Sequence, residues 1–257
     1  MKQVLVTGAA GVLGRALLPQ LAQAGYGVRA MSRRAPLPEP APPIAWVHAD
    51  LETGDGLAES VRGADVIIHG ASNPIRARQT DVEGTQRLSK AAASVSHFVY
   101  VSIVGIDKIP LPYYRAKLAA EALVQGSGVP WSILRVTQFH TLVDMLLSAV
   151  SRLPLALLPA GFQGQPIEPA EAATRLVESV GAGPGGRLPD IGGPEILALN
   201  GMARTWLAAR GRRRLLVTVP VPGRLGAGFR QGFNTVPDGR YGRVTWADWV
   251  SRRYPRL

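Results

Sequence analysis

Three glycines at a three-residue beat, Gly8, Gly11 and Gly14, constrain this chain more than any other feature. An apolar run, Lys2 to Val6, precedes them and ends at Thr7. An apolar-periodic stretch follows through Val12, Leu13, Ala16, Leu17 and Leu21. Strand, glycine turn and helix in that order form the context in which a chain cradles the pyrophosphate of a dinucleotide. Gly8 permits a tight turn off the strand. Gly11 lets backbone N–H groups come close to the anion, and Gly14 lets the helix lie close on the sheet. The helix N-terminus then offers unpaired N–H groups and a partial positive charge. Thr7, Gly8, Gly11, Val12, Leu13 and Gly14 are therefore the candidate pyrophosphate site.

The pattern after the turn alternates. Strands are expected at Gly27–Ser32, Ile44–His48, Ala64–His69, His97–Ser102 and Trp131–Val136. Helices are expected at Gly56–Arg62, Asp81–Val95 and Leu111–Gln125. Strands separated by helices imply a parallel sheet covered on both faces and joined by right-handed crossovers. The expected fold is a doubly wound α/β Rossmann sheet over residues 1–136, with a smaller C-terminal α/β substrate lobe over 137–257. A proline-rich loop, Pro36, Pro38, Pro40, Pro42 and Pro43, interrupts the series. Beyond 137 the reading gives helices at Phe139–Arg152, Pro169–Val180, Leu197–Arg210 and Trp246–Tyr254, a Pro- and Gly-rich stretch at Leu153–Gly164, and a strand at Leu215–Pro220. At 257 residues, 46% of them hydrophobic, the chain is long enough for a sizeable core.

Ligands of an open α/β sheet bind outside the carboxyl ends of its strands, and four strand ends here carry suitable groups. The first is the glycine turn. The second bears Ser32, Arg33 and Arg34, with no acidic residue to accept from a ribose 2′-hydroxyl. An arginine there favours a 2′-phosphate, so NADP(H) is expected over NAD(H). The third supplies Asp50 and Leu51, placed to meet the adenine edge. The fourth supplies Gly70, Ala71, Ser72 and Asn73, small enough to let the nicotinamide half pass.

Catalytic chemistry is expected at Ser102, Tyr113 and Lys117. Tyr113 and Lys117 lie four apart on one helix face. A neighbouring ammonium is expected to lower the tyrosine pKa from its ordinary value near 10. Such a phenol donates a proton to a carbonyl oxygen as hydride arrives. Lys117 can also hold the nicotinamide ribose, and Ser102 can orient the carbonyl. Tyr114 is adjacent, and either ring can face the cofactor.

The segments TGAAGVLGR, HADL, FVYVSIVGID, LPYYRAKLAAEALV and WSILRVTQFH together resemble the atypical short-chain dehydrogenase/reductases, specifically the NmrA-like NAD(P)-binding group. The resemblance continues more faintly through QPIEPAEAATRLVE and TWADWV. It implies an extended Rossmann domain with a small substrate lobe. It places Gly8, Gly11 and Gly14 on the pyrophosphate, Arg33 on the 2′-phosphate, and Asp50 with Leu51 on adenine. Ser102, Tyr113 and Lys117 fall near the dehydrogenase Ser, Tyr and Lys. That group contains reductases of quinones and other unsaturated compounds, and members that bind NADP without turnover and report redox state to a protein partner.

Other classes are bounded by composition. The chain has no cysteine, which excludes disulfides and thiol chemistry and fits a reducing cytoplasm. Its four histidines show no metal-like spacing, so no metal is expected. The apolar window Leu142–Gly161 contains Asp144, Arg152, Pro154 and Pro159, unlike a membrane span. Net charge is +11, and from Asn200 onward twelve Arg face two Asp. Such a tail suits an anionic surface, but no nucleic-acid-binding motif accompanies it. A small-molecule substrate is the expected partner.

Overall fold

A computed structural model describes residues 1–34, 44–152 and 155–255. The prolines from Pro36 to Pro43, with Pro154, lie outside the described residues. Two compact units interleave along the chain. One contains residues 1–102, 112–135 and 172–189, and the other contains 103–111, 136–171 and 190–257.

The first unit is built on a seven-stranded sheet. Its elements begin with β1 (Gln3–Thr7), α1 (Val12–Gln23), β2 (Gly27–Ser32), β3 (Ile44–His48), α2 (Leu57–Val61) and β4 (Val66–His69). A single π-helical segment, Arg78–Glu83, then runs into α3 (Gly84–Ala91), followed by β5 (His97–Ile103), α4 (Pro112–Gln125) and β6 (Trp131–Val136). The order across the sheet is β3-β2-β1-β4-β5-β6, completed by the short β9 (Gly186–Arg187). The pairs β1–β2, β2–β3, β1–β4, β4–β5 and β6–β9 are parallel. Strand order reverses between β1 and β4, which opens the crevice where such sheets bind ligands.

Burial explains why these segments are strands. Val4, Leu5, Val6, Val66, Ile67 and Ile68 are at most 1% exposed, as expected of strands covered on both faces. Leu5, Ile67, Phe98, Tyr100, Leu88, Val124 and Ile133 pack into one core. α4 buries Lys117, Ala120, Glu121 and Val124 along one face. Glu121 takes Arg135 of β6 in a bidentate pair at 2.8 and 2.7 Å, which fixes the register of helix on sheet.

The expected helix 81–95 is divided here. Its first part is the π-helical segment and its last regular residue is Ala91. The Asp81 side chain in this segment is fully buried, on the same face as Thr85 and Leu88.

The second unit has less regular structure. It contains α5 (His140–Val150), β7 (Leu155–Pro159), β8 (Gln163–Gly164), β10 (Leu197–Ala198), α7 (Leu199–Ala209), β11 (Leu215–Val219), α8 (Gly223–Arg230) and α9 (Trp246–Arg253). α6 (Pro169–Ala182) begins in this unit and continues into the first. β7 pairs with β11 in parallel, and β8 with β10 antiparallel. Its core gathers Leu147, Leu158, Met202, Trp206, Trp246 and Trp249. Asp144 accepts from the Trp206 indole and the Tyr254 hydroxyl, both at 2.6 Å. α9 starts with the Thr245 hydroxyl accepting from the Asp248 amide at 3.1 Å and ends on Arg252 and Arg253, matching the helix dipole at both ends. Among the described residues no helix is long and apolar enough to cross a membrane.

Candidate functional site

At the end of β1 the chain turns on Gly8, whose φ is +69°. The turn closes with Gly11 N–H donating to the Gly8 carbonyl at 2.9 Å. A Cβ on Gly8 would stand 2.8 Å from the Ala71 amide nitrogen, and one on Gly14 would stand 2.5 Å from the carbonyl oxygens of Gly8 and Ala9. Gly14 therefore lets α1 close onto its own turn as well as onto the sheet. α1 begins with no capping side chain and no acidic residue in its first turn, which leaves its leading amides for an anion.

A cleft of about 330 Å³ opens above this turn. Of the residues expected from sequence, Gly8, Gly11, Ser32, Arg33, Asp50, Leu51, Gly70, Ala71 and Ser72 line it. Arg34 and Asn73, also at expected strand ends, line it too, as do Glu52 and Thr80, which were not read as site residues. Thr7 and Gly14 are buried, and half-exposed Val12 opens the first turn of α1 beside Leu13. Asp50 turns its carboxylate to its own loop, accepting from the Glu52 amide at 2.7 Å. A backbone cradle that tolerates no Cβ, a helix N-terminus and two arginines suit a dinucleotide with two phosphates.

A buried chain of hydrogen bonds ties β1 to β4 beneath this cleft. Thr85 Oγ1 donates to the Asp81 backbone carbonyl, so it accepts from His69 Nε2 at 2.9 Å. His69 Nδ1 then accepts from Thr7 Oγ1 at 2.6 Å, and Thr7 in turn accepts from the Ala71 amide at 3.2 Å. This polarity needs the neutral imidazole with its proton on Nε2. Burial and the nearby Lys117 charge hold the His69 pKa down to about 3, consistent with that state.

The expected catalytic residues fall into two groups. Tyr113 Oη lies 2.7 Å from Ser72 Oγ, and Ser72 donates to Asp81 Oδ1 at 2.5 Å. Since Ser72 has one proton, Tyr113 is the donor in their bond. The second Asp81 oxygen accepts from the Asn73 amide at 3.1 Å. Lys117 Nζ sits 3.8 Å from Asp81 Oδ1, donates to the Val101 carbonyl at 2.8 Å and lies over the Tyr100 ring. Of the two adjacent tyrosines, Tyr113 is bonded to a cleft-lining residue. Ser102 stands apart, its hydroxyl buried with no hydrogen-bond partner among the described residues.

The expected lowering of the Tyr113 pKa is corrected by this geometry. Burial pushes the phenol up to about 12, the Ser72 hydrogen bond works against that rise, and Asp81 adds to it. Lys117 is instead drawn to Asp81 and is itself pulled down to about 8 by burial, with Asp81 and Glu121 opposing. Asp81 shares the buried helix face of Thr85, Leu88 and Ala92, and was missed because a charged residue is not expected among core positions. Its one sequence signal was an Asp within an otherwise apolar-periodic stretch.

Comparison with known proteins agrees with the cleft. A family described as NAD(P)H-binding matches residues 8–142. The chain is 29% identical over 251 residues to the ceramide reductase of Caulobacter vibrioides, covering 88% of this chain and 76% of that protein. It is 30% identical over 147 residues to the photosystem II assembly factor Ycf39 of Cyanophora paradoxa, covering 53% and 45%. The chain thus spans less than half the length of that curated relative. Its fold matches that of the NADPH-dependent quinone oxidoreductase of Escherichia coli complexed with NADPH, with a TM-score of 0.80 at 18% identity, covering 98% of this chain and 99% of that one.

Proposed function

Because the chain belongs to the NAD(P)H-binding family, we propose that it is an NADPH-dependent reductase of a small carbonyl, quinone or other unsaturated compound. The observation that carries this reading is the Tyr113–Ser72–Asp81 hydrogen-bond series reaching the wall of the nucleotide cleft. A bound nicotinamide supplies hydride. The chain's residues bind and orient it and hold the proton. Gly8, Gly11 and the start of α1 take the pyrophosphate, and Arg33 takes the 2′-phosphate through charge-assisted hydrogen bonds. Tyr113, with its pKa near 12, is protonated at neutral pH and is the proton donor. Ser72 and Asp81 aim its hydroxyl, and buried Lys117 holds Asp81 and the nicotinamide ribose.

A second reading has its own observation. In this arrangement Tyr113 donates its hydrogen bond to Ser72 and Lys117 attends to Asp81, so neither is free of an internal partner. That suits a protein that binds NADP(H) and reports its redox state to a partner without turnover. One relative is described as an assembly factor and not as a reductase.

NADPH oxidation against a panel of quinones and aldehydes separates the two. Reductase action requires turnover by the wild type and a loss of about 100-fold or more in Tyr113→Phe, with NADPH binding retained. Lys117→Ala should lower both turnover and affinity. Tight NADPH binding without oxidation of any panel member would select the sensor reading, and turnover unchanged in both variants would remove Tyr113 and Lys117 from the chemistry.

A further inference from the structure

The adenosine end of the cleft contains a charge that the arginine argument leaves out. Glu52 lines the cleft with Arg33, Asn73 and Thr80. Arg33 Nη1 lies 3.5 Å from Glu52 Oε1, and Arg76 Nη2 lies 2.8 Å from Glu52 Oε2. The Glu52 side chain is 10% exposed, whereas those of Arg33 and Arg76 are 49% and 56% exposed. Thr80 Oγ1 donates to Oε1 at 2.7 Å, which fixes the carboxylate from behind. Asn73 Oδ1 accepts from the Arg76 amide at 3.3 Å and shapes the loop that carries the second arginine. The result is one fixed anion holding two solvent-facing cations.

These three side chains treat the two dinucleotides in opposite ways. A ribose 2′-phosphate carries a charge of about −1.5 to −2 near neutral pH. It can engage both guanidinium groups. To do so it must take them from Glu52 and then lie beside that carboxylate, a like charge that opposes it. A free 2′-hydroxyl instead donates to Glu52 and leaves both ion pairs in place.

We infer that Glu52 sets cofactor choice in this chain: it competes with a 2′-phosphate for Arg33 and Arg76 and accepts from a 2′-hydroxyl, so the site takes both dinucleotides and prefers the phosphorylated one only moderately. Arg76 is a second 2′-phosphate ligand. The inference rests on the reading of Arg33 as the first.

Fluorescence titration of NADPH and NADH against the wild type, Glu52→Gln, Arg76→Ala and Arg33→Ala tests it. Glutamine keeps an acceptor for Thr80, and melting curves confirm that each variant is folded. Glu52→Gln should tighten NADPH about fivefold and weaken NADH about fivefold, the size expected of one ordinary solvent-exposed hydrogen bond gained or lost. Arg76→Ala should weaken NADPH about fivefold and leave NADH within about twofold, by the same arithmetic. If Arg33→Ala collapses the NADPH preference but Glu52→Gln leaves the ratio unmoved, the role of Glu52 is overturned and the 2′-phosphate reading stands. If Arg33→Ala also leaves the ratio unmoved, that reading fails and the inference fails with it.

Discussion

The two ends of the nucleotide cleft are made of different material. At the glycine turn the contacts are backbone, and space is already used up to the last atom, since a Cβ on Gly8 or Gly14 would meet main-chain atoms at 2.8 or 2.5 Å. At the other end the cleft wall carries Arg33 and Glu52, with Arg76 paired to Glu52, and both cations are about half exposed. The first end recognises what every nicotinamide dinucleotide shares. In the proposed binding mode the second meets the one position at which NAD and NADP differ. Capture and choice are therefore separable, and substitutions at each end should fail in different ways.

The largest effect is expected at the rigid end. In Gly14→Ala the new methyl group would meet the Gly8 and Ala9 carbonyls, which cannot rotate away as a side chain would. NADPH and NADH affinity should both fall by about a hundredfold, with their ratio kept. Titration of both cofactors measures this. Normal binding of either would show that the turn is not the cradle, and a changed ratio would break the division between the two ends.

That division also explains what could be read from the sequence. The glycine beat is a local signal because the turn is local: its residues lie within seven positions of one another. Strands Gly27–Ser32, Ile44–His48 and Trp131–Val136 were legible to the residue, because each is a short, mostly apolar run set off by Gly, Pro or Arg. Arg33 was legible as the residue after β2. Glu52 was not, because its place beside Arg33 depends on the parallel register of β2 with β3, including Ser32 opposite His48. Asp81 was hidden for a related reason, since its partners Ser72 and Lys117 are distant in sequence and meet it only in the fold.

In the second unit the signals were weaker still. β7 reads LALLP and lies within a Pro- and Gly-rich stretch, which masks it as a strand. Its proline is tolerated at the last position of a strand in a two-stranded sheet. α8, GRLGAGFR, carries three glycines that argue against a helix. Gly226 and Gly228 are buried there, where a Cβ on Gly226 would meet the Val221 carbonyl and one on Gly228 would stand 3.0 Å from Ile109. Close packing thus overrides propensity.

A middle-sized effect is expected from pH, through the Thr7–His69–Thr85 chain that holds the strand ends under the rigid cradle. The His69 pKa is about 3 in the folded protein and about 6.5 in the unfolded chain. Between those values the unfolded state binds the extra proton, so stability falls as pH falls below about 6.5. By pH 5 His69 alone should cost about 2 kcal/mol relative to neutral pH. Thermal unfolding without cofactor from pH 7 to 5 should therefore show a shallower decline in His69→Gln than in the wild type, even though the variant starts from a lower midpoint. Parallel slopes would mean that His69 can take a proton in place.

The smallest effect, and the one that isolates the adenosine end most cleanly, is expected from salt. Arg33 and Arg76 face solvent, and exposed charges are screened as the Debye length shortens from about 10 Å at 0.1 M to about 3 Å at 1 M. The pyrophosphate contacts are common to NADPH and NADH, so whatever salt does to them cancels in the ratio of the two affinities. What survives in the ratio is the 2′-phosphate against two arginines and one glutamate. Raising sodium chloride from 0.05 to 0.5 M should lower the NADPH-to-NADH preference about threefold, a modest change because the ion pairs there are surface pairs worth about 1 kcal/mol or less. In Glu52→Gln the same salt series should give a steeper fall, since two unopposed cations then act on the phosphate. A preference indifferent to salt in both proteins would mean that shape rather than exposed charge distinguishes the cofactors, and the contrast between a backbone end and a charged end would lose its physical basis.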